Sequence, residues 1–111
     1  METSTFIAHC LSFDEVNEQP HFEKTSFRVY KKIFATLDLQ KNKATFKLSA
    51  IDQSVFCDFD PNNITLATGA WGKQGWTIFN IAALADEMIV DALTCSYCNV
   101  APKKLSVKYK D

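Results

Sequence analysis

Glycine and proline are scarce in this 111-residue chain, with three of each. Together with 47% hydrophobic and 23% charged residues, that scarcity excludes a collagen-like fibre, a disordered tail and a coiled coil. An excess of one charge is missing too. Twelve Lys+Arg stand against thirteen Asp+Glu, so the chain as a whole exerts no general attraction on nucleic acid. No apolar run approaches the ~20 residues that a bilayer-spanning helix requires. Met1 to Phe13 has neither a basic segment nor a small-residue cleavage site, so no secretory signal is expected. Cysteine is confined to Cys10, Cys57, Cys95 and Cys98, at spacings unlike a disulfide framework. The expectation is a reduced, cytoplasmic setting.

Signatures of chemistry are equally sparse. There is no G-x-G-x-x-G, no G-x-x-x-x-G-K-[ST], no G-x-S-x-G and no H-E-x-x-H. Cys95-Ser96-Tyr97-Cys98 has C-x-x-C spacing, but it falls near a helix C-terminus, where the dipole opposes a thiolate. A zinc site would need ligands from Cys10, Cys57, His9 or His21, which are irregularly placed. Asp58 and Asp60 have a sufficient role in a turn. A non-enzyme without catalytic residues, metal or cofactor is expected.

What is present is periodicity. Thr3 to Leu11 puts Phe6, Ile7, Cys10 and Leu11 on one helical face. Phe13 to Lys24 is polar, contains Pro20 and reads as a loop. Ser26–Tyr30, Ile33–Leu39 and Lys43–Leu48 alternate in the manner of antiparallel strands, with turns at Lys31-Lys32 and near Asn42. The alternation sets Phe34 on the face opposite Ile33, Ala35 and Leu37. Ser49-x-x-Asp52 opens a second helix whose Ile51, Val55 and Phe59 would face the core. Strands follow at Ile64–Thr68 and Gly75–Phe79. Asn80 then caps a last helix running through Leu84, Met88, Ala92 and Cys95 to about Tyr97, and Pro102 stops it. The order α-β-β-β-α-β-β-α gives an α+β two-layer sandwich, a five-stranded antiparallel sheet with helices packed on one face. Residues 1–111 form one domain in this reading, with a basic tail from about residue 103.

Charge is segregated along this frame. Residues 25–49 carry six cations against Asp38, while residues 50–100 carry six carboxylates against Lys73. The strand face away from the core would present Arg28, Lys43 and Lys47 with the aromatics Tyr30 and Phe34, a pattern suited to phosphates and stacked bases. All three glycines fall within Gly69-Ala70-Trp71-Gly72-Lys73-Gln74-Gly75, so this loop needs unusual backbone angles. Trp71 and Lys73 near its tip could reach a nucleic-acid groove or an unpaired base.

Three segments carry a family resemblance. Pro20-His21-Phe22-Glu23, Ser26-Phe27-Arg28-Val29 and Lys32-Ile33-Phe34-Ala35 resemble the opening signature of the MmcQ/YjbR proteins. Trp71-Gly72-Lys73-Gln74-Gly75-Trp76-Thr77 is similar to that family's loop and following strand. Ser96-Tyr97 with Val100-Ala101-Pro102-Lys103-Lys104-Leu105 is similar to its closing helix and tail. The resemblance implies a small bacterial domain of CyaY-like fold, labelled DNA-binding by likeness to the double-wing domain of a phage transcription factor. By position it also implies basic functional residues at Arg28, Lys32, Lys73, Lys103 and Lys104, with Trp76 as the loop-exit aromatic. One departure is Lys31, where the family often has glycine.

Two functions are therefore expected. The first is non-enzymatic DNA binding through Arg28, Tyr30, Lys32, Lys43, Lys47, Trp71, Lys73, Lys103 and Lys104. The second is a protein-interaction module using the same sheet face, with Tyr30, Phe34 and Trp71 as anchors. Neither involves a membrane, and a monomer or weak dimer is expected.

Overall fold

The computed structural model describes residues 1–110. A six-stranded antiparallel sheet runs in the order β1-β2-β3-β4-β6-β5. Its strands are β1 (Val16–His21), β2 (Lys24–Val29), β3 (Lys32–Asp38), β4 (Lys43–Lys47), β5 (Ile64–Leu66) and β6 (Trp76–Asn80). Helices α1 (Thr3–Leu11), α2 (Ala50–Phe59) and α4 (Asp86–Val100) cover one face. Register explains which one. Phe27, Ala35 and Phe46 lie directly across from one another, as do Leu37, Ala44 and Phe79 on the same side. All six are fully buried. Phe6 of α1 packs between Phe27 and Phe46 at centroid distances of 6.0 and 5.8 Å, and Phe56 of α2 meets Phe79 at 5.9 Å. The opposite face carries Ser26, Arg28, Thr36, Thr45, Lys47, Trp76 and Ile78, and Arg28, Thr45, Lys47, Trp76 and Ile78 are partly exposed there, which makes it the open face.

Four features correct the sequence reading. The segment Phe13 to Lys24 is not all loop: it contains β1, which makes six strands where five were expected. Its sequence, VNEQPH, hides the strand because it is an outer rim exposed on both faces, where Pro20 and Glu18 are tolerated and no alternation is required. Phe34 is wholly buried, not on the open face. Phe27 pairs with Ala35 and Arg28 with Ile33, so Phe34 is an extra residue in β3. This β-bulge turns Phe34 and Ala35 toward the same core and sends Ile33 to the open side. Ser96 of α4 completes the bulge by donating to the Phe34 carbonyl at 2.6 Å and accepting from the Lys47 amide at 3.0 Å.

The third correction concerns α2. Ser49 does cap it, accepting from the Asp52 amide at 3.2 Å, but Ile51, Val55 and Phe59 face outward and are exposed. Gln53 and Phe56 take the inner side instead. The fourth is the start of α4. Asn80 ends β6, residues 81–85 turn, and the helix begins at Asp86 rather than at an Asn80 cap. Beyond Pro102 the chain folds further, as α5 (Lys103–Ser106) and a 3-10 turn (Val107–Tyr109). Tyr109 packs on Phe13 and Tyr97 at 5.1 and 5.2 Å, so the basic end is attached to the core. Among the described residues, no helix is long and apolar enough to cross a membrane.

Candidate nucleic-acid interface

One end of the open face holds a groove of about 520 Å³. Four cations line it: Arg28 from β2, Lys31 from the β2–β3 turn, Lys32 from β3 and Lys47 from β4. Trp71, Gln74 and Trp76 form a second wall, and Asn99 and Val100 at the end of α4 close the third. No carboxylate is among these residues. The described residues contain two ion pairs, the Met1 amino group with Asp86 and Lys108 with Asp14. None of the four groove cations is therefore neutralised by a described carboxylate. A cleft lined by one sign of charge focuses its field on an incoming anion.

Each cation is positioned by the fold. Arg28 Nε donates to Ser26 Oγ at 3.1 Å, and that hydroxyl in turn donates to the Gln19 carbonyl at 2.9 Å. Lys47 is held at its backbone, where the carbonyl accepts from Asn99 Nδ2 at 3.2 Å. Its ammonium sits 5.8 Å from the centre of the Trp76 ring. Lys31 arrives by a less comfortable route. Tyr30 and Lys31 form a two-residue hairpin turn with φ of +47° and +75°. Mirror-image turns of this kind match the twist of the strands but usually take Asn or Gly. The turn thus falls at Tyr30-Lys31, one residue before the expected Lys31-Lys32.

The glycine segment is a helical turn, α3 (Ala70–Lys73), rather than an open loop. Two hydrogen bonds and two close backbone approaches fix it. Gln53 Nε2 donates to the Gly72 carbonyl and to Thr77 Oγ1, both at 3.0 Å. A Cβ on Gly72 would lie 2.2 Å from the Ala67 carbonyl, and one on Gly75 would lie 2.1 Å from that of Leu48. Only glycine permits these backbone approaches. Trp71 stands on this clamped turn with 62% of its surface exposed.

Of the nine expected residues, the groove gathers Arg28, Lys32, Lys47 and Trp71. The other five lie outside it. Lys43 shares the open face but sits at the far end of β4, roughly 13 Å away at the usual rise per residue. Lys73 is exposed on α3, and Lys103 on α5. Tyr30 is engaged by Lys104, whose ammonium lies 5.7 Å from its ring centre. Gln74 and Asn99 were not legible as site residues, since only tertiary packing brings them to the groove. At Cys95 burial pushes the thiol up to about 11, and burial raises Cys98 as well. Both thiols stay protonated at neutral pH, the opposite of an activated redox pair.

The YjbR family profile matches residues 11–99, most of the chain. The chain belongs to the YjbR family. Among solved structures, the Deinococcus radiodurans protein DR2400, described as a DUF419-domain protein, superposes with a TM-score of 0.79. It is 17% identical, and the match covers 97% of this chain and 87% of that one. At that identity the likeness concerns the fold. Among curated proteins, none matches the sequence. The YjbR match spans Arg28, Lys31, Lys32, Lys47, Trp71 and Asn99, so all of the groove's lining except Val100 falls within the family segment.

Proposed function

We propose that this YjbR protein is a non-enzymatic, cytoplasmic DNA-binding protein that holds the phosphate backbone in the groove on its open sheet face. The observation that carries this reading is the convergence of Arg28, Lys31, Lys32 and Lys47 in one cleft without a carboxylate. Net charge is near zero, so the attraction is local: acidic α2 and α4 lie on the covered side of the sheet. Phosphate contacts position a duplex without specifying its sequence, and the groove offers four of them. Binding should therefore weaken with salt along a slope of at most roughly −3.6 on a log–log plot for duplex DNA.

The rival reading, a protein-interaction module on the same face, has lost one of its three anchors. Phe34 is buried, while Tyr30, with the Lys104 ammonium near its ring, stays partly exposed, as Trp71 does. Fluorescence anisotropy with a labelled duplex at two salt concentrations tests the DNA reading. Micromolar binding that Arg28→Glu with Lys47→Glu abolishes is the expected result. Undiminished binding by that double variant would place the contact elsewhere, and absence of binding at low salt would refute the reading.

A further inference from the structure

The groove pairs its cations with one free aromatic surface, and that pairing bears on which form of nucleic acid it accepts. Trp76 is half-buried and the Lys47 ammonium sits near its ring. Trp71 is exposed and lines the same cleft as Arg28, Lys31, Lys32 and Lys47. Its mounting on α3 is rigid, because Gln53 ties the Gly72 carbonyl and the Thr77 hydroxyl together behind it. We infer that the groove binds an unpaired nucleotide, with the base stacked on Trp71 and its own phosphate held by the cations. This rests on the DNA reading above and names the strand form that the site prefers.

The reason is geometric. In a duplex the faces of the bases are occupied by their neighbours and only their edges reach a groove. A tryptophan face beside a phosphate site can be used fully only by a base that has left the stack. A cleft of about 520 Å³ is in the range of small-ligand sites and has room for one or two nucleotides, base included, whereas a duplex can present only its backbone to it. Stacking on an aromatic tolerates any base, so little sequence preference follows.

The test compares a labelled single-stranded oligonucleotide with the duplex of the same sequence, using wild type, Trp71→Ala, Trp71→Phe and Lys47→Glu. Trp71 is exposed, so its replacement leaves the fold intact, which circular dichroism verifies. The expected result is single-strand binding about tenfold tighter than duplex binding. Trp71→Ala weakens single-strand binding far more than duplex binding and so removes that preference, Trp71→Phe restores most of it, and Lys47→Glu weakens both forms. Tryptophan fluorescence is quenched by the single strand in wild type and much less in Trp71→Ala. Equal or tighter duplex binding, or an equal loss on both forms in Trp71→Ala, would overturn the inference and leave the DNA reading standing. No binding to either form at low salt would overturn both.

Discussion

Replacing Lys31 by glycine should make the protein more stable and a weaker binder at once. Lys31 sits at φ +75° in the β2–β3 turn, a left-handed conformation in which its Cβ crowds the following carbonyl. For an L residue that conformation costs about 1–2 kcal/mol, and glycine relieves it. Glycine also gains freedom in the unfolded chain, which offsets about 0.5–1 kcal/mol. The net gain is about 0.5–1 kcal/mol, or roughly 2–6 °C in melting temperature for a domain of this size. The same substitution removes one of four unpaired groove cations, so the log–log salt slope of DNA binding should shrink by about 0.7 for a single strand. Lys31→Ala separates the two effects, because alanine keeps the Cβ and loses the charge: binding falls equally without the thermal gain. Calorimetric melting and anisotropy titrations at several salt concentrations read both quantities. A Lys31→Gly protein melting at or below wild type would refute the strain argument. An unchanged salt slope in both variants would refute the role of the cation.

Other outcomes follow from the packing. Gly75→Ala should destabilise by about 2–4 kcal/mol in urea unfolding, since its Cβ would lie 2.1 Å from the Leu48 carbonyl at φ +106°, whereas Gly69→Ala meets no neighbour and should lose only about 1 kcal/mol. Gln53→Leu should lower stability by about 1–3 kcal/mol by removing two hydrogen bonds, those to the Gly72 carbonyl and to Thr77 Oγ1, and time-resolved anisotropy should show faster motion of Trp71. Ile51→Lys and Val55→Glu should change stability by less than about 0.5 kcal/mol, against about 3–5 kcal/mol for Phe79→Ala. Cys95 should resist alkylation: with its pKa near 11 rather than 9.0, it holds roughly a hundredfold less thiolate at pH 8. Raising an acid's pKa favours the neutral form, so the rate at Cys95, followed by peptide mapping, should keep climbing beyond pH 9, where an ordinary thiol levels off.

The helices, the β2–β3–β4 meander and their layering were legible because their residues repeat with the period of their element. Phe27, Val29, Ala44, Phe46 and Leu48 all point where alternation sends them. Errors arose where a local rule was overridden. The bulge at Phe34 inserts one residue and reverses the phase of β3, which no count of two can register. In α2 the apolar side was assigned to the core by default, yet the hydrogen-bonding capacity of Gln53 was needed there to hold α3. The site was partly legible for a similar reason. The surplus of cations in residues 25–49 is a property of the sequence, but which of them meet is decided by register. Lys43 and Lys47 share a face and stand at opposite ends of one strand. In the sequence Lys31 reads as a turn residue where the resembling family often has glycine, and its place in the cleft depends on the hairpin geometry.

The two rims of the sheet carry a consequence of their own. At one rim β1 contains Pro20, which has no N–H to offer, and Glu18, which must stay in water. At the other, β5 is only three residues long. An incoming backbone finds no continuous ladder on either side, so the sheet is a poor template for strand addition from another chain. Recognition is confined to side chains on its surface, and even at high concentration the native fold gives fibril growth little purchase.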